Sequence, residues 1–151
     1  MTEGVTSQEI TISRVFDAPR ELVWRAWTEP EQLARWWGPA GWTNRLETIT
    51  MDVQPGGTFR VTSVSDADGT EMTSQGMYRE VIAPERLVLD EPAEGAWHEG
   101  ALSVATFNDL GDGRTELVLH STIQTTHEMR AGAEAGVAGS LDRLAEHLAA
   151  R

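Results

Sequence analysis

Four histidines, a surplus of carboxylates and the close pair Ser140 and Asp142 are the residues of this chain whose types could do chemistry. His98, His120, His127 and His147 lack the HExxH spacing, or any comparable one, that sets two imidazoles on one helix face around zinc. Ser140 and Asp142 would suit a hydrolase, yet no GxSxG turn exists to expose the hydroxyl. Neither GxGxxG nor a phosphate-binding loop occurs. Cysteine is absent, which excludes disulfides, thiolate nucleophiles and cysteine-ligated metals. All 12 basic residues are Arg, so lysine Schiff-base chemistry is excluded too. With 24 Asp and Glu residues, any carboxylate pair is unspecific as acid and base. No catalytic residue, metal or cofactor is therefore assigned.

Three polar residues remain as candidates for a site. Arg60 and Glu80 fall on strand-like segments, where a buried charge would need a partner or a ligand; a solvent-facing ion pair is the competing role. His120 stands between Leu119 and Ser121, and it points outward if Leu117 and Leu119 face the core. His98 and Glu99, beside Trp97, read as either a gate or a solvated turn.

Aromatic residues give a stronger signal. Of the 6 tryptophans, five lie between positions 24 and 42, in the segment FDAPRELVWRAWTEPEQLARWWGPAGW. Each indole buries a large surface and carries an N–H that needs a partner when buried. Such a concentration reads either as core packing or as the wall of an aromatic cavity.

The elements that must hold these residues follow from periodicity. Residues 1–8 are polar and unpatterned and read as a disordered tail, leaving residues 9–151 as a single domain. Alternation from Ile10 to Phe16 predicts a strand. Asp17-Ala18-Pro19 opens a helix carrying Val23, Trp24 and Trp27 on one face. Thr28-Glu29-Pro30-Glu31 has capping-box spacing and starts a second short helix, stopped by Gly38-Pro39 after Trp37. Period-two patterning then predicts strands at 49–53, from Phe59, at 71–82, 87–90, 101–107 and 115–123. A helix over 128–150 carries an apolar stripe at Val137, Leu141, Leu144 and Leu148. Its first half, RAGAEAGVAG, is built of small residues, which either approach a strand closely or leave space beneath them.

Charge narrows the partners. The formal net charge of −12 disfavours nucleic acid and anionic membrane surfaces, both of which demand basic patches. No apolar run reaches the roughly 20 residues that a membrane helix needs, and residues 1–9 hold no secretory core. The expectation is a cytoplasmic protein, monomeric or homodimeric.

The motifs FDAPRELVWRAWTEPEQLARWWGP, PGGTFR, GMYREVIAPERLVL, GRTELVLH and SLDRLAEHL succeed one another along nearly the whole chain after residue 9. In them the chain resembles the START-like helix-grip (SRPBCC) superfamily, and within it the family related to the activator of the heat-shock-protein-90 ATPase. The resemblance implies an α+β fold: a curved antiparallel sheet wrapped around a long C-terminal helix, with two short helices after the first strand. It also implies a pocket between sheet and helix. Trp27, Trp36, Trp37 and Trp42 would close one end, Phe59, Tyr78, Phe107 and Leu119 would point inward from the sheet, and Met129, Ala133 and Val137 would form the lid. Two positions depart from the family's pattern: Gln54 replaces an Arg before the PGG turn, and Val137 replaces a Trp in the last helix. The implied function is binding of a hydrophobic or aromatic small molecule without catalysis. The alternatives are a polyketide cyclase- or dehydratase-like enzyme and, from the family name, a chaperone cofactor. In the eukaryotic activators this domain follows a separate N-terminal domain, which makes a chaperone partner the least expected of the three.

Overall fold

The computed structural model describes residues 4–92 and 100–150. Their order is β1 (Thr6–Phe16), α1 (Arg20–Thr28), α2 (Pro30–Leu33), β2 (Trp42–Asn44), a single 3-10 turn (Leu46–Thr48) and β3 (Thr50–Met51). Then come β4 (Thr58–Ser65), β5 (Glu71–Ile82), β6 (Arg86–Glu91), β7 (Ala101–Asp109), β8 (Thr115–Thr125) and α3 (His127–Ala149). The strands form one curved antiparallel sheet in the order β1-β8-β7-β6-β5-β4-β2, with β3 also on β4. This is the α+β helix-grip arrangement expected from the sequence.

Strand β8 shows how the pattern becomes a face. Thr115, Leu117, Leu119, Ser121, Ile123 and Thr125 are buried, and every residue between them is half-exposed. Its length also corrects the N-terminal boundary. Because β8 runs to Thr125, it offers partners to Thr6, Ser7 and Gln8, which are therefore strand and not tail. Ser7 and Gln124 add side-chain hydrogen bonds across the pair.

The short helices differ from expectation at their caps. The Thr28 hydroxyl donates back to the Trp24 carbonyl at 2.9 Å, so it does not cap α2. Helix α2 ends at Leu33, and tighter backbone turns, Arg35 N–H to Gln32 O at 3.1 Å and Trp36 N–H to Leu33 O at 3.2 Å, carry the chain on to Trp37. The strand expected over 49–53 shrinks to Thr50–Met51. After Met51 the chain folds onto itself through Asp52 N–H to Thr58 O, 2.9 Å. A Cβ on Gly57 would collide with the Asp52 carbonyl, so only glycine fits this turn.

Helix α3 is capped by Thr126, whose hydroxyl accepts from Met129 N at 3.1 Å. Its two halves pack differently. Ser140, Leu141, Leu144 and Leu148 are buried in the second half, while no residue of the first half is. The core cluster includes Phe16, Val23, Leu33, Trp36, Val61, Leu117, Leu141 and Leu144, drawn from β1, β4, β8, α1, α2 with the turn after it, and the second half of α3. The other half of α3 spans a less filled part of the concave face. No helix among the described residues is long and apolar enough to cross a membrane.

Candidate functional site

Beneath that first half lies a cavity of about 230 Å³ between α3 and the sheet. Its roof is Gly132, Ala133, Gly136 and Val137, and its floor comes from β4, β5, β6, β7 and β8. A Cβ on half-exposed Gly136 or on solvent-exposed Gly132 would meet no atom within 4 Å, so no close approach of α3 to the sheet requires glycine at either position. The lining is predominantly apolar, with serines and Glu91 set into it.

An aromatic train forms the closed end. Trp27 and Trp36 centroids are 4.8 Å apart, Trp36 and Trp37 5.8 Å, Trp37 and Phe59 5.1 Å, and Phe59 and Tyr78 6.2 Å. The tilted and edge-on geometries are those that aromatic quadrupoles favour. Trp36 is fully buried, and its Nε1 donates to the Ala26 carbonyl at 2.9 Å, which ties the turn after α2 to α1.

Three polar residues position the indoles. Buried Asn44 donates to the carbonyls of Ala34 (3.0 Å) and Trp37 (2.8 Å) and accepts from Ser63 Oγ at 2.6 Å. From α3, Ser140 donates to Trp36 O at 3.2 Å and accepts from Gly38 N at 3.1 Å. Arg143 then covers the carbonyls of Trp37, Gly38 and Pro39 at 3.1, 2.9 and 3.1 Å with Nη1. Desolvation pulls the Arg143 pKa down, opposed by Asp66 and Glu146. Helix α3 thus grips the indole turn directly, and these tertiary bonds take up the carbonyls beyond Leu33.

Nine of the anticipated cavity residues border it: Trp27, Trp36, Trp37, Trp42, Phe59, Tyr78, Leu119, Ala133 and Val137. Phe107 does not. It is buried behind the wall, edge-on to Trp24 at 5.4 Å and to Trp27 at 5.9 Å, because α1 lies across β7. Met129 is not a lid residue either, being half-exposed in the first turn of α3.

The polar candidates all lie outside the cavity. Arg60 is exposed on β4, opposite in phase to inward Phe59. Glu80 should share the inward face of Tyr78 by alternation, but a bulge between Tyr78 and Glu80 shifts the register against β6. Val81 packs inward instead, and Glu80 pairs with Arg86 at 3.2 Å on the outside. His120 points outward between Thr11 (2.8 Å) and Glu9 (3.3 Å). Trp97, His98 and Glu99 lie outside the described residues. Ser140 serves the clamp, and its bonds to the 36–38 turn leave it no hydrolytic partner among those residues. No group of three His, Asp or Glu side chains able to hold a metal ion forms there.

Sequence reasoning missed Asn44, Arg143 and the floor serines 63, 74, 103 and 121. The inward phase of Ser121 was readable from Leu117 and Leu119; nothing local marked Asn44 or Arg143. Two cavity residues also carry buried polar atoms without partners among the described residues, Trp27 Nε1 and the Tyr78 hydroxyl. Burial first, and then the Asp52 charge, raises the Tyr78 pKa well above its ordinary value, so the phenol stays protonated.

The model of the family "Activator of Hsp90 ATPase homolog 1-like protein" matches residues 17–149. The chain belongs to this family. No curated protein matches it. Among solved structures, a protein from Chromobacterium violaceum is similar at 24% identity and a TM-score of 0.82, over 93% of this chain and 96% of that one. One from Arthrobacter aurescens has the same identity and TM-score, over 98% and 92%. The AHSA1 protein of Silicibacter pomeroyi is 21% identical with a TM-score of 0.80, over 94% and 98%. At these identities the likeness carries the fold and nothing finer.

Proposed function

We propose that this family member binds a hydrophobic or aromatic small molecule in the cavity beneath α3 and does not turn it over. The observation that carries the reading is the combination of an unfilled, mainly apolar space of about 230 Å³ with an indole wall and a roof of small residues. Dry apolar cavities of about 150 Å³ already accept a benzene-sized guest. The space here suits a molecule of about two fused rings. Burial of its apolar surface, at about 25 cal/mol per Å², supplies the affinity before ordering costs are subtracted. The lining offers no general-acid and general-base pair among the described residues, since Glu91 is its only titratable carboxylate and no His borders it. The net charge of −12 argues against phosphate-bearing partners.

A panel of hydrophobic metabolites, titrated and followed by tryptophan emission and native mass spectrometry, tests this. Saturable one-to-one binding is expected. Val137→Trp places an indole in the roof and should weaken binding at least tenfold while the circular dichroism spectrum is kept. Binding unaffected by that substitution would move the site elsewhere. Consumption of a bound compound would replace the carrier reading with an enzymatic one.

A further inference from the structure

The cavity floor changes in character from one row of side chains to the next. Three rows of directly paired residues cross it from β6 through β7 to β8. Leu87, Ala105 and Leu119 form the first, and all three are buried. Leu89, Ser103 and Ser121 form the second, which brings the two serine hydroxyls to 2.9 Å from each other. Glu91, Ala101 and Ile123 form the third. Apolar contact thus gives way to hydroxyls and then to a carboxylate.

Exposure changes in the same direction. Leu89, Ser103, Glu91 and Ala101 are half-buried, although each has inward phase on a strand with neighbours on both sides. Their remaining exposure therefore opens onto the cavity, which is closed over the first row and accessible over the other two. Glu91 is the one charged side chain in the lining among the described residues. Gly76 shares the inward phase of Tyr78, and a Cβ on it would lie 3.1 Å from Glu91 Cγ. The Glu91 side chain therefore lies back over that glycine on the concave face. It already takes part in another interaction, and the two oxygens of a carboxylate can accept from a ligand as well. The serines keep acceptor lone pairs too, since their mutual bond uses only one. No Arg or His lines the space among the described residues, so an anion would meet this carboxylate with nothing to offset it. A cation would be paired there, and the net charge of −12 draws cations toward the protein.

We infer that the ligand is a small aromatic amine bound as its ammonium, with Glu91 as counter-ion and the Ser103–Ser121 pair as further acceptors. This rests on the small-molecule reading above and specifies its chemistry. The ring system takes the apolar row and the indoles, and the ammonium lies toward the serines and the carboxylate.

Calorimetric titration with 2-(aminomethyl)naphthalene, 2-ethylnaphthalene and 2-naphthoate tests it, because the three share a ring system and differ in charge. The amine should bind the unmodified protein about tenfold more tightly than the naphthoate. Glu91→Gln should weaken the amine about tenfold, the effect of losing one charge-assisted hydrogen bond at a half-exposed site, and leave 2-ethylnaphthalene unchanged. The hydrocarbon should displace the amine competitively, which puts both in one cavity. Naphthoate binding as tightly as the amine, an amine affinity unmoved by Glu91→Gln, or an amine that bound 2-ethylnaphthalene does not displace would each overturn the inference and leave the cavity reading standing. Failure of 2-ethylnaphthalene to bind at all would remove the cavity reading, and the inference with it. The comparison of amine with naphthoate needs no variant, so it stands even if Glu91→Gln folds poorly.

Discussion

Replacing Arg143 by Met should loosen the indole turn before it loosens the fold. The substitution keeps an apolar stem against α3's neighbours and removes the guanidinium that covers residues 35–39. Three carbonyls lie within 3.1 Å of Nη1, which has only two hydrogens to share among them. A fourth contact, Nη2 to Arg35 O at 3.4 Å, is long enough to be weak. Two effective charge-assisted bonds remain. At about 1.5–3 kcal/mol each, and discounted because the group is half-exposed to water, they contribute about 2 kcal/mol in total. For a domain of this size that corresponds to a fall in Tm of about 4–8 °C. Thermal unfolding followed by far-ultraviolet circular dichroism measures the fall. Emission from Trp36 and Trp37 should shift to the red at temperatures where the helical signal is still native. Arg143→Lys should recover only part of the loss, since a point charge cannot reach several carbonyls at once. The Ser140→Ala and Arg143→Met effects should be non-additive, because both side chains hold the same turn. A Tm and an emission maximum unchanged in Arg143→Met would refute the clamp.

Leu144 is fully buried between sheet and α3, so Leu144→Ala should cost about 3–5 kcal/mol, read from the denaturant midpoint at constant slope. An unchanged midpoint would mean the apolar stripe is not the anchor of α3. His147 sits with Nε2 3.2 Å from Gln32 Oε1, and its pKa is lowered from 6.5 by burial and then by Arg35. Below pH 6.5 the unfolded chain therefore binds a proton that the folded chain resists, and stability falls as pH drops through that window. The difference in stability between the natural protein and His147→Gln should shrink or change sign on going from pH 8 to pH 5. Parallel curves would show that the histidine is not coupled to folding.

Much of this architecture was legible because the signals are local. The period-two runs of β5 and β8 and the leucine stripe of α3 each depend on residues a few positions apart, so a window of sequence contains them. The indole cluster and the glycine-rich roof could likewise be seen as unusual, and nine of the anticipated lining residues do meet at one cavity.

Other features depend on contacts between distant segments. Glu80 faces outward because β5 bulges against β6, and no residue in the run 71–82 signals the extra position. Phe107 has the inward phase of a lining residue, yet α1 arrives over it and takes that face with Trp24 and Trp27. Thr6 joins a strand only because Thr125, 119 positions away in the chain, supplies its partner. Arg143 looks like any exposed helical arginine until α3 docks on the 35–39 turn. Composition and periodicity determined which residues turn inward and where apolar walls form, since those follow from burial of each element's own face. The tertiary structure alone decided which polar groups found partners and which were left unmet around the cavity, because hydrogen bonds are directional and their partners come from elsewhere in the chain.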